Sequence, residues 1–209
     1  YDRPNLNSLK FYAALGNHDY GLTSNGVKEA QIQYSSLPVG TGTGTRASAK
    51  WTMPDAYFDK RFPDDSGPVH VFVTDTQDYS ATQKNAMKAK VQQSTATWKI
   101  VTGHHPRYTS GDHFLDNQFL GALGMYSMQE TIFCAGTDIF LTGHDHNVEL
   151  IDKGAHAACP NVSFIISGAG AKVRSSNAPK HAKSLYYNES IEALAYLEFS
   201  GNSAKLEVI

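Results

Sequence analysis

The sequence predicts an α/β fold, and three observations carry that prediction. Short apolar runs recur, each ending in glycine followed by polar residues, two longer segments have helical spacing, and the last part of the chain shows apolar runs with no helix between them. Residues 11–15 lead into Gly16-Asn17-His18-Asp19, Trp98–Thr102 into Gly103-His104-His105-Pro106, and Ile139–Thr142 into Gly143-His144-Asp145-His146. Runs of this length, bounded by glycine, fit buried strands better than helices. Polar residues just past such strands lie where open α/β sheets place their sites.

The remaining elements follow in order. Residues 41–45 alternate threonine and glycine and read as a connector. Residues 69–74 form a further strand that ends at Asp75. Residues 80–95 are helical with a thin apolar face, Met87 and Val91 lying four apart. Residues 116–133 read as a stronger helix, carrying Phe119, Leu120, Leu123 and Met128, with Asp116 as its N-cap. Val148–Ile151 and residues 162–166, 194–199 and 206–209 read as strands, so the tail is β-rich and antiparallel. Phe72, Phe133, Phe140, Phe164 and Phe199 are core candidates.

Length and composition narrow the classes. With 209 residues, 41% hydrophobic and 18% charged, residues 1–209 suffice for one globular domain. The formal charge of -2 leaves no basic field for nucleic acid and no polybasic run for a membrane surface. No apolar run reaches the roughly 20 residues of a membrane helix, which argues against direct membrane insertion. The first residue, Tyr1, reads as a processed or trimmed start. Cys134 and Cys159 could form one bridge, and the sequence leaves that open. Asn161 and Asn188 open Asn-x-Ser sequons, Asn188 being the better surface acceptor because Asn161 borders a strand. The sequons tilt the expectation toward a glycoprotein in a secreted, lumenal or periplasmic setting.

The chemistry lies in the three glycine-histidine turns. Neutral imidazole is a good ligand for zinc, iron and similar ions, and the Asn17 amide offers a carbonyl oxygen. His144 and His146 are separated by one residue, and a turn after a strand lets them diverge toward two neighbouring ions. One such tetrapeptide arises by chance; three in this order predict a metal centre. His70, His156 and His181 have no comparable context and read as structural or surface residues.

The three turns together resemble the last three metal motifs of the calcineurin-like metallophosphoesterases, and more closely those of the small, tartrate-resistant purple acid phosphatases. His113, nine residues after His104, matches that type's second active-site histidine. Trp51-x-x-Pro54 with Tyr57-Phe58, Val73-Thr74-Asp75-Thr76 and Ser167-Gly168-Ala169-Gly170 are similar to its other signature segments. The resemblance implies a two-sheet β-sandwich flanked by helices. It implies that Asn17, His104 and His144 bind a divalent ion and that His146 binds a second, ferric ion in that family, so the cofactors are two metal ions, Fe with Fe, Zn or Mn. It also implies that His18 and His113 contact phosphate or protonate the leaving group, with Asp19 orienting His18. The activity implied is acid phosphatase hydrolysis of phosphate monoesters by attack of a metal-bound hydroxide.

The family's earlier motifs, Asp-x-Gly and Gly-Asp-x-x-Tyr, do not precede Gly16. They carry the bridging and terminal carboxylates and a tyrosinate. Four neutral ligands would leave two ions, roughly 3.5 Å apart, repelling each other strongly. The expectation is therefore that the N-terminal strand-helix portion of the fold is missing and acts as a partner supplying the acids. Failing that, the fragment holds one ion or none. The alternative is a non-catalytic metallophosphoesterase-like structural or binding module.

Overall fold

The computed structural model of the protein describes residues 9–20 and 27–209. Tyr1 lies outside them. The chain forms β1 (Phe11–Tyr12), a 3-10 turn (Asn17–Tyr20), α1 (Val27–Ser36), β2 (Trp51–Thr52), β3 (Phe58–Phe62) and β4 (Val69–Val73). There follow α2 (Ala81–Gln93), β5 (Trp98–Thr102), α3 (Phe114–Leu120), α4 (Tyr126–Phe133), β6 (Ile139–Thr142) and β7 (Val148–Ile151). The last elements are β8 (Ser163–Ser167), β9 (Ser184–Asn188), β10 (Ala195–Ser200) and β11 (Ser203–Val208).

Seven strands make one mixed sheet in the order β3-β4-β5-β6-β8-β7-β9. Its centre is parallel, β4 to β5 to β6 to β8, and its flanks are antiparallel. Helices α2 and α4 cover one face. There Phe72, Val101, Phe140, Phe164 and Ile166 pack against Met87 and Val91 of α2 and Met128, Ile132 and Phe133 of α4. On the other face, Ile100, Ile139 and Ile165 meet Leu197, Phe199 and Leu206 of the β10–β11 hairpin. The same face, nearer β3, packs Val73 and Phe58 under Leu15 and Met53, beside Tyr12 of β1 and Trp51 of β2. Among the described residues, the second layer of the expected sandwich thus consists of two separate two-stranded ribbons. No helix among them is long and apolar enough to cross a membrane.

Local chemistry explains the helix boundaries. Ser80 caps α2 by accepting the Gln83 N–H at 3.3 Å, and Gln83, Met87 and Val91 face inward. The expected continuous helix over 116–133 is broken. It starts at Phe114, and Gly124, at φ 127°, kinks it between α3 and α4. The kink shifts the phase, so Phe119 and Leu123 point to solvent while Met128 is buried. Asp116 is not the N-cap. His113 occupies that position, and the Asp116 carboxylate binds the His113 ring instead. Strands β3 and β9 carry weaker apolar patterns, and pairing at the sheet edges makes them strands.

The order of preference between the sequons reverses. Asn161 is exposed in the turn before β8, whereas Asn188 is half-buried at the end of β9, its Oδ1 accepting the Ser190 N–H. Phe199 is only half-buried, on the hairpin side of the sheet.

The cysteines left open by the sequence do pair. Cys134, at the end of α4, is bonded to Cys159 in the loop before β8, closing a separation of 25 residues. A cross-link of that length removes loop-closure entropy worth about 3 kcal/mol from the unfolded chain. Replacing both cysteines by serine should therefore lower unfolding free energy by about 3 kcal/mol in urea titration, with the folded circular-dichroism spectrum retained.

Candidate metal centre

The site forms where parallel strands end together. Val73 pairs with Thr102, Thr102 with Leu141, and Thr142 with Ile166. The residues that follow β4, β5, β6 and β8 therefore emerge at one level. The backbone continues the ladder beyond the strands, with Gly103 N–H donating to Leu141 O at 3.3 Å and Gly143 N–H to His104 O at 3.1 Å. Gly168 must be glycine here, since a Cβ would lie 1.8 Å from the Asp145 carbonyl oxygen. His144 sits at φ 64°, a left-handed conformation that costs a β-carbon residue on the order of 1 kcal/mol. Non-glycine residues held there cluster at functional sites.

Asn17, His18, His104, His113, His144, His146 and Arg174 line one cavity of about 320 Å³ with Gly143 and Gly168. A larger depression of about 460 Å³ between α2 and α4 is lined by residues such as Lys88, Gln92 and Glu130 and brings no comparable set of imidazoles together. In the first cavity, His104 Nε2 lies 2.8 Å from Asn17 Oδ1 and 3.0 Å from His144 Nδ1. One nitrogen each from His104, His105 and His144 lies within 4.8 Å of the others. His113, Asp116 and His144 form a second such group, which places a carboxylate beside the histidines.

The neighbours fix these side chains. Asn17 and His18 ride on the 3-10 turn, whose start is held by Asp19 Oδ2 accepting the Gly16 N–H at 2.8 Å. That bond anchors the turn carrying both residues rather than the His18 ring itself. His18 is exposed at the rim. Asp145 accepts the His113 N–H at 2.7 Å, 32 residues away. Buried Glu149 accepts the Ser110 N–H at 2.8 Å and its hydroxyl at 2.6 Å, bracing the same loop. His146 is half-buried, and its ring centroid lies 6.0 Å from that of His113, against 4.4 Å for His144.

Burial pushes the His104 imidazole down to about 4, against the opposing pull of Asp19, and neighbouring histidines add to the fall. Burial with the charges of His105, His104 and His113 pushes His144 down to about 2. His146 is also lowered, by burial and by Arg174. At neutral pH these rings are uncharged, the form in which imidazole binds a metal ion. His144 Nε2 and His146 Nδ1 are buried without hydrogen-bond partners among the described residues, which fits nitrogens meant for such an ion. The imidazole and amide donors suit one divalent ion of the zinc or iron type.

Sequence reasoning missed three neighbours. Arg174 donates from Nη1 to His113 Nε2 at 3.2 Å and contacts Asp112 at 3.4 Å, while its N–H donates to His146 O. No motif marked it, because its loop reaches the cavity only through the fold. Asp116 binds His113 Nδ1 at 2.8 Å, a signal available in the i, i+3 spacing. His105 is wholly buried beside the cluster. His70, read as structural, pairs with Asp59 at 2.8 Å and Ser94 at 2.9 Å.

With fold and site in place, comparison with known proteins assigns the class. The calcineurin-like phosphoesterase family profile matches residues 2–148, and the chain belongs to that family. Among curated proteins it is similar to Purple acid phosphatase 7 of Arabidopsis thaliana, 26% identical over 97% of this chain and 64% of that protein. Tartrate-resistant acid phosphatase type 5 of Homo sapiens is 23% identical over 98% of this chain and 64% of its own length. The chain therefore spans just under two-thirds of these relatives, to which it is distantly related. Among solved structures, GAP50, described as the anchor in the inner membrane complex of Plasmodium, aligns with TM-score 0.70 and 23% identity. That alignment covers 96% of this chain and 61% of that one. Purple acid phosphatase PPD1 from yellow lupin (Lupinus luteus) seeds aligns with TM-score 0.66 and 16% identity, over 97% and 37%. These two likenesses show the shared fold.

The lowered histidine values set a pH dependence. The unfolded chain takes up protons below the ordinary value of 6.5, whereas folded His104 stays neutral until about 4. The unfolded state thus binds more protons in that window, and stability is lost as pH falls. Thermal unfolding of metal-free protein should show Tm falling between pH 6.5 and 4, and a His104→Gln/His144→Gln variant should show a shallower fall.

Proposed function

We propose that the chain is the histidine-bearing part of a metal-dependent phosphomonoesterase and that its cavity binds the phosphate group. The supporting observation is the convergence of neutral metal-ligand donors, a hydrogen-bonded histidine and a guanidinium on one cavity. In this reading Asn17, His104 and His144 hold a divalent ion and His146 a second. Acidic ligands come from Asp116 or from a segment outside these 209 residues. When bound, the ions supply Lewis acidity, which neutralises charge on phosphoryl oxygens and lowers the pKa of water.

The chain's own residues do the rest. Arg174 presents a planar cation suited to bidentate phosphate binding. His113 donates its Nδ1 proton to Asp116 while Nε2 accepts from Arg174. Phosphate that draws Arg174 away frees Nε2 to take a proton from solvent, giving an imidazolium that Asp116 stabilises and that then passes this Nε2 proton to the leaving oxygen. His18, on the rim, contacts the phosphate or its ester. The Cys134–Cys159 bond supports an oxidising compartment, outside the cytosol.

The test is hydrolysis of p-nitrophenyl phosphate by the full-length protein loaded with iron, zinc or manganese. His104→Ala should abolish turnover and metal binding together. His113→Gln should lower kcat by about 10²–10⁴-fold. Arg174→Ala should mainly raise KM.

A second reading is a non-catalytic structural or binding module. The specific observation favouring it is that, among the described residues, the His104–His144–Asn17 group hydrogen-bonds within itself and to no carboxylate. The likeness to a protein described as an anchor points the same way. Turnover by metal-loaded protein no greater than that of His104→Ala supports this second reading and sinks the first.

A further inference from the structure

The wholly buried His105 has a role left to assign. Its exposure is 0%, although it lies three residues past the end of β5, between His104 and Pro106. Three contacts fix it. Its Nδ1 lies 2.7 Å from Thr76 Oγ1, its backbone N–H donates to the same oxygen at 3.2 Å, and its carbonyl accepts from Gln129 Nε2 at 3.1 Å. Its Nε2 has no hydrogen-bond partner among the described residues. A buried ring nitrogen without a partner is costly, and native structures keep such atoms for a ligand, an ion or a water.

The surroundings point to an ion. The His105 ring centroid lies 4.4 Å from that of His144 and 4.8 Å from that of His104. Ring nitrogens of the three lie within 4.8 Å of one another. Metal-binding histidines ordinarily donate their second N–H to a nearby oxygen, which fixes the tautomer and leaves the other nitrogen bare. Thr76 supplies that oxygen to Nδ1.

We propose that His105 Nε2 is a metal ligand which, with His104, His144 and Asn17, completes a one-ion site built entirely from this chain. These four ligands are neutral, so the single dication they hold needs no carboxylate among them. Zinc–nitrogen bonds of ~2.0–2.1 Å set ligand atoms about 3.3 Å apart in a tetrahedron, the scale of the 3.0 Å between His104 Nε2 and His144 Nδ1. His105 thereby provides an extra ligand where the two-ion arrangement implied for the site uses none. This inference rests on the metal-binding half of the proposed function and not on hydrolysis.

The test is zinc titration of the full-length protein against a chromogenic chelator, with apo-protein Tm measured alongside. His105→Phe keeps the ring and removes the nitrogen; it should weaken zinc binding by about 10²-fold or more. Thr76→Val keeps shape and removes only the oxygen that orients His105; it should weaken binding by about 10-fold or more. Folded His105→Phe binding zinc within threefold of wild type overturns the proposal. Should His105→Phe fail to fold, Thr76→Val decides: weakened binding supports the proposal and unchanged binding overturns it. Wild type that binds no zinc sinks this proposal and the metal-dependent function together. Loss confined to the variants, or its absence, bears on His105 alone.

Discussion

The in-register parallel pairing of β4, β5, β6 and β8 governs the site, because it brings four chain segments to an end at one level. Thr102 is paired on both sides, to Val73 and Leu141, and Thr142 to Ile166. A one-residue slip in any pair would turn every side chain of that strand to the opposite face. The register is held because both faces of these strands are buried, by α2 and α4 on one side and the ribbons on the other. The site inherits its precision from this packing. Its candidate ligands sit on short turns, each within a few residues of a strand end.

Carrying polar groups at that level imposes a second constraint. The histidines are removed from water, so their charged forms are disfavoured and they remain neutral bases. Neutrality suits metal coordination and disfavours an apo site at acid pH. The supporting carboxylates are set further back. Asp145 and Glu149 brace the loop of His113 from beneath, and Asp19 braces the turn of Asn17. Their charges are spent on backbone N–H groups, which leaves the cavity itself rich in nitrogen.

Membership of the calcineurin-like phosphoesterase family and the α/β architecture are common ground for both functional readings. The readings differ over whether carboxylates join the imidazoles in the working molecule. Asp116 is the acid that the described residues bring to the second histidine group, and it is exposed and tied to His113. The geometry therefore favours nitrogen coordination at the His104 side and leaves hydrolysis dependent on what joins the other side.

The sequence by itself determined the α/β class, the central strands, the antiparallel tail and the three histidine turns. Each is a local signal: an apolar run of strand length, a glycine, then a donor. It did not determine the kink at Gly124, which took Phe119 and Leu123 out of the core, or the pairing of Cys134 with Cys159. Nor did it show that Asp145 reaches His113, that Arg174 enters the cavity, or that His105 is buried against His144. These depend on contacts between residues far apart in the chain. Only the tertiary structure decides them, because periodicity reports which face a residue occupies and carries no information about what faces it.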